Sequence, residues 1–128
     1  MREILFRGKH TRTGEWIEGL LWKKKYHSDK YFISCFPDKD DNEEAFIVFP
    51  KTVGQYTGLT DKNGKKIFED DIVKVTDDNG EMNVCSCGIG YVLFYDGVWY
   101  IDDEVNDGLY DVSKIYDIEV IGNIHDNP

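Results

Sequence analysis

No apolar run in this chain of 128 residues approaches the roughly 20 residues that a helix needs to cross a bilayer. The first residues, MREILFRGKH, have no apolar core of the signal-peptide kind. Cysteine is scarce, with three in all, at Cys35, Cys85 and Cys87. An odd number without an export signal speaks for reduced thiols and against a disulfide framework, so the expected location is the cytoplasm, with no role in a membrane. Cys85 and Cys87 stand two residues apart, where an intrastrand bridge would need strained geometry.

The patterns that carry catalysis or metal binding are missing too. There is no Gly-x-Ser-x-Gly elbow around Ser28, Ser34, Ser86 or Ser113. TGLTDKNGKK contains Gly58 and Gly64 but no Gly-Lys-Ser/Thr step to cradle a phosphate. Asp61, Asn63 and Glu69 are oxygen donors close in sequence, yet an EF-hand frame from Asp61 puts Lys65 and Lys66 where a ligand and a glycine are needed. Structural zinc requires paired Cys and His spacings that Cys35, Cys85, Cys87, His10, His27 and His125 do not supply. On a strand, Cys85, Cys87, Ile89 and Leu93 share one face, the arrangement of core positions. The expectation is therefore a protein without cofactor or metal, and not an enzyme.

What is present in abundance is acid. Twenty-five Asp and Glu against fifteen Lys and Arg give a net charge of −10. The balance is uneven, +4 over residues 1–35 and −14 over 36–128. Such a split serves solubility, and it also allows the basic part of one subunit to meet the acidic part of another. Lys23, Lys24 and Lys25 precede Tyr26, Tyr31 and Phe32, a mixture of base and aromatic that single-stranded nucleic acid would use. The global field repels phosphate, so nucleic acid is not the expected partner. The opposite role, an acidic decoy occupying another protein's nucleic-acid site, would draw on Asp38, Asp40, Asp41, Glu43 and Glu44 and on Asp102, Asp103, Glu104, Asp107 and Asp111. Their irregular spacing shows no helical array of phosphate mimics.

Aromatic residues make up 14% of the chain and favour pleated, half-buried surfaces. EILFRGKH and EWIEGLLW read as a hairpin across TRTG, with Trp16, Leu20 and Trp22 on one side. KYFISCF is a third strand stopped by Pro37, PDKDDNEEA an acidic loop, and FIVFP a short strand closed by Pro50. GQYTGLT and KKIF flank the turn DKNG, where Asp61 is placed to accept backbone N–H bonds. DIVKVTD, the long VCSCGIGYVLFY, DGVWYID after the Asp96-Gly97 turn, and IEVIGNI follow; one short helical turn fits within DEVNDGLYDVSKIYD. The expectation is a mainly β protein: an N-terminal β-hairpin or small sheet in residues 1–52, a C-terminal SH3-like β-barrel in 53–128, and little helix, the two lobes forming one compact unit.

FRGKHTRTGEWIEG, VGQYTGLTDKNGKKIFEDDIVKV and EVIGNIHDNP occur in that order along the chain. Together they resemble the YopX family of phage and prophage proteins over nearly the whole chain. The resemblance implies a largely β protein with an SH3-like barrel, found in bacteriophages and prophages of low-GC Gram-positive bacteria, with no established activity. Two departures stand out. The family pattern carries Gly before the acid of its GDIV segment, where this chain has Asp70 before Asp71. Its closing IGNI is followed by an aromatic, where this chain has His125.

If the central motif marks a surface site, its residues are Gln55, Tyr56 and Thr57, with Asp71 beside them, offering an amide, an aromatic face and hydroxyls. The structural alternative has Tyr56 packed at the junction of the lobes and Asp71 capping a turn. That alternative is preferred, because glycine-bracketed turns need fixed local contacts. The partners expected are further copies of the chain, or a host or phage protein.

Overall fold

The computed structural model describes residues 4–24, 27–35, 44–76, 88–102 and 108–126. By its internal contacts the chain divides into two compact units, Met1–Tyr56 and Thr57–Pro128.

The first unit is an antiparallel sheet. It contains β1 (Phe6–Lys9), β2 (Trp16–Lys24), β3 (His27–Cys35), β4 (Glu44–Val48) and the start of β5 (Gly54–Thr60). The strand order is β4-β3-β2-β1-β5. The β1–β2 turn is held by the His10 ring, whose Nδ1 accepts from the Arg12 and Thr13 amides at 3.0 and 3.3 Å. Alternation sorts the side chains into two layers. Ile33 and Val48 are fully buried on one face, and Gly8 leaves room for them. On the other, Trp22 stacks on its cross-strand neighbour Phe32 at 4.4 Å and donates Nε1–H to Ser34 Oγ at 2.7 Å. The Arg7 guanidinium lies 4.2 Å from the Trp16 ring on the neighbouring strand. The outer edge of β4 is engaged at one end. Phe49 donates to Lys9 O at 2.9 Å and Thr11 to Ile47 O at 3.0 Å, around a bridge between His10 and Val48.

The side bearing Trp16, Leu20 and Trp22 is the more apolar by composition, yet Leu20 on it is 52% exposed. The fully buried Ile33 pairs instead with Leu21, on the opposite face.

In the second unit β5 continues, with β6 (Lys66–Phe68) beside it. A four-stranded antiparallel sheet follows, built from β7 (Asp71–Thr76), β8 (Ile89–Tyr95), β9 (Val98–Asp102) and β10 (Asp117–Asn123) in the order β10-β7-β8-β9. The β8–β9 turn uses Asp96 at φ 53° and Gly97 at φ 81°. Two consecutive left-handed residues are what a two-residue hairpin turn demands. Between β9 and β10 lies α1 (Leu109–Ile115), with Asp111 in its first turn and Lys114 in its last, each matching the local end of the helix dipole. Leu109 and Val112, one helical turn apart, join Ile67, Val73, Val75, Val92, Ile101, Ile118 and Val120 in the core.

The edges of this sheet are partly engaged as well. Lys62 donates to Ile118 O on β10 at 2.9 Å, and Tyr100 on β9 is bridged to Gly108. Among the described residues, two antiparallel sheets and one α-helix thus make a mainly β fold. The described residues form no closed barrel. Among them, no helix is long and apolar enough to cross a membrane.

Candidate functional site

Of the four residues singled out in the central motif, Gln55 and Tyr56 end the first unit, and Thr57 and Asp71 belong to the second. Gln55 pairs with Phe6 across β1 and β5, and the Tyr56 amide donates to Leu5 O at 2.8 Å. Both side chains are half-buried. Thr57 and Asp71 grip β6 from either side of the sequence. The Thr57 hydroxyl donates to Ile67 O at 2.8 Å and accepts from the Leu59 amide at 3.2 Å. Asp71 Oδ2 accepts from the next amide along β6, Phe68, at 2.8 Å.

Asp71 is 1% exposed. Burial of such a polar side chain is tolerated because each of its oxygens has a donor. Its Oδ1 accepts from Asn123 Nδ2 at 2.9 Å, and Asn123 Oδ1 in turn accepts from the His125 amide at 2.9 Å. One residue earlier, Asp70 adopts a left-handed φ of 70°, its carbonyl accepts from Ile124 N at 3.0 Å, and its Oδ2 meets His125 Nε2 at 2.9 Å. A carboxylate only accepts, so the imidazole places its proton on Nε2. The Glu-Asp-Asp turn and the closing Gly-Asn-Ile-His segment are therefore interlocked through backbone and side chain together.

Asp61 makes a second link of the same kind. Its Oδ1 accepts from Asn63 and Lys65 amides at 2.8 and 2.9 Å, closing the DKNG turn. Its Oδ2 accepts from Val120 N on β10 at 2.9 Å. Burial pushes the Asp61 carboxyl upward, but the three backbone donors, with the Lys65 charge, outweigh it and hold the group below its ordinary value. The turn-capping half of this arrangement is visible in the sequence. The Val120 half is not, because a contact 59 residues distant leaves no local pattern.

Chemically, these acids are occupied. Asp61 and Asp71 spend their oxygens on amides, which suits them to fixing loops and leaves them poorly placed to move protons. Among the described residues no group of three or more His, Cys, Asp or Glu could hold a metal ion. Cys85 and Cys87 lie outside the described residues, and Cys35 is half-buried. In the Lys23–Lys25 stretch, the Lys23 ammonium sits 4.7 Å from the Tyr31 ring, Lys24 closes β2, and Lys25 lies outside the described residues.

A surface missed in the sequence lies on β8 and β9. Leu93 and Tyr100 face each other across the ladder, with Tyr95 and Asp102 two residues further along their strands. These four line a concavity of about 440 Å³ on the face opposite the buried Val92 and Ile101. The Asp96-Gly97 turn fixes that register, so the pairing was within reach of the sequence once the hairpin was placed.

A family model described as YopX protein matches residues 5–128. No curated protein and no solved structure matches the chain.

Proposed function

The chain belongs to the YopX family, and from that premise we propose that it is a phage- or prophage-encoded accessory protein acting in the host cytoplasm as a non-enzymatic, self-associating interaction module. The observation that carries this reading is the distribution of charge between the units. Residues 1–56 hold ten Lys and Arg against nine Asp and Glu, whereas residues 57–128 hold five against sixteen. Within the near-neutral unit the basic excess is concentrated in residues 1–35, at +4, and a local basic surface of this kind is complementary to the acidic unit of another copy.

Exposed apolar side chains supply the rest of a contact surface. Leu20 is 52% exposed, Tyr95 68% and Ile121 50%. Sheet edges contribute less than strand count alone suggests, since the ends of β4, β9 and β10 carry internal hydrogen bonds. Association is therefore assigned to sheet faces and charge. We further propose that the second unit is an opened variant of the SH3-like barrel. Supporting this are the succession β7, β8, β9, a short helix and β10, and the return of β10 to pair with β7.

Light scattering at micromolar concentration tests the module. The expected result is an assembly at low salt that dissociates as salt rises. A monomer at low salt overturns the reading.

A further inference from the structure

We propose that the concavity on β8 and β9 is a receptor for an arginine side chain presented by a partner polypeptide. This rests on the reading of the chain as an interaction module and specifies the chemistry of what it binds. The floor and walls are Leu93, Tyr95 and Tyr100, with the Asp102 carboxylate at one end. Aromatic faces attract a cation, and a guanidinium can stack flat on tyrosine while forking onto a carboxylate. A lysine ammonium fits the same charge but gains neither the stacking nor the fork.

Asp102 is held for that task from the neighbouring strand, on the same face. The Tyr91 hydroxyl, directly across the ladder, donates to it, and the resulting loss of a good donor on ionisation, with burial and the carboxylate's own charge, holds the tyrosine above its ordinary pKa. The Asp102 carboxylate is thereby held in place at the lining of the concavity. Strands β8 and β9 are rigid at this point, because Val92 and Ile101 on the reverse face are 0% and 1% exposed in the core. The volume of about 440 Å³ lies within the range of sites that enclose a ligand group and its neighbours. The acidic excess of the second unit draws a basic segment toward it.

The test is a titration of the whole protein, followed by amide chemical shifts, with the blocked peptide acetyl-Gly-Arg-Gly-amide and with its citrulline counterpart. Citrulline keeps the shape and removes the charge. The expected result is saturable shifts confined to residues 91–95 and 98–102, with the citrulline peptide weaker by about tenfold or more. Asp102→Asn should abolish the difference between the two peptides. Tyr100→Leu, which keeps an apolar side chain two residues from Asp102 on the same face and removes the ring, should weaken the arginine peptide alone. Equal binding of both peptides overturns the proposal, as do shifts spread over the acidic surface generally, or an arginine preference that survives Asp102→Asn. A lysine peptide that binds as well as the arginine one also overturns the assignment to arginine. Because the titration reads the pocket and light scattering reads assembly, failure here is distinguishable from failure of the self-association reading.

Discussion

Asp70 and His125, 55 positions apart in the chain, are in contact with each other, Oδ2 to Nε2 at 2.9 Å. Asp70 holds a left-handed φ of 70°, a conformation that glycine adopts without cost and an Asp tolerates better than most residues. From that turn the Asp70 side chain, which a glycine would lack, reaches the His125 ring. Each side chain is 23% exposed, so the interaction is worth at most about 1 kcal/mol. Asp70→Gly is expected to come out nearly neutral in urea unfolding, relief of strain offsetting the lost pair, whereas Asp70→Ala should cost about 1 kcal/mol more. A double-mutant cycle with His125→Phe should give a coupling of about 0.5 kcal/mol or more. Strictly additive effects would show that the two side chains touch without stabilising one another.

Asp61 provides the pH-dependent element. Its carboxyl is held below the ordinary value near 3.8, so the stability it contributes is present above the pKa of the unfolded chain and is lost as pH falls through the lower folded value. Asp61→Asn would turn an amide donor toward a backbone N–H, and hydrogen bonds to charged groups are each worth about 1.5–3 kcal/mol. The variant is expected to be less stable by about 2 kcal/mol at neutral pH. In urea titrations from pH 7 downward, the gap to the parent should hold until about pH 4 and shrink below it. A gap that is constant to pH 2 would mean that the carboxylate charge is irrelevant.

The turns were the legible part of this sequence, and the reason is local. Asp96-Gly97 and the glycine of DKNG must adopt left-handed conformations, and Gly97 and Gly64 do so at φ 81° and 83°. The Asp61 cap over Asn63 and Lys65 is likewise written within five residues. The short helix falls inside the irregular segment where one helical turn was expected. What pattern could not supply was the partner of each turn. Asp61 with Val120, Asp71 with Asn123 and Asp70 with His125 are separated by 59, 52 and 55 positions. Nor does the alternation of β2 show what its half-buried tryptophans touch: Trp16 lies against the Arg7 guanidinium and Trp22 stacks on Phe32, both on neighbouring strands.

For the central motif, a binding role and a structural role predict different outcomes at Asp71. Asp71→Ala would leave the Phe68 amide and the Asn123 side chain without their buried acceptor. An unsatisfied buried donor costs about 1–3 kcal/mol, so a loss of about 3 kcal/mol or more is expected in thermal or urea unfolding. Thr57→Val, which removes the hydroxyl bonded to Ile67 and Leu59, should cost about 1 kcal/mol. Stability unchanged in both variants, together with loss of a partner, would return these residues to the binding surface. Tyr56→Ala extends the comparison into the first unit, where retention of the fold with loss of binding would carry the same meaning.

Gly19 tests the packing of the first unit, and it does so through the backbone. On β2 it lies so close to β3 that an added Cβ would collide with the Ser34 carbonyl oxygen, with Ile33 Cγ2 also at 3.1 Å. A side chain in the way can rotate, but a carbonyl committed to a sheet can move only with its strand. Gly19→Ala is therefore expected to spread β2 from β3 and disturb the stacking of Trp22 on Phe32 next along the ladder. Overpacking of this kind costs about 1–3 kcal/mol. The check is a lower urea midpoint accompanied by a changed near-ultraviolet circular dichroism signal from the stacked pair. Gly14→Ala is the control: it meets no atom within 4 Å but sits at φ 73°, so its cost comes from the backbone conformation alone. That variant should lose about 1 kcal/mol while leaving the aromatic signal as it was. If the two substitutions behaved alike, the close approach of β2 to β3 would not be what makes position 19 a glycine.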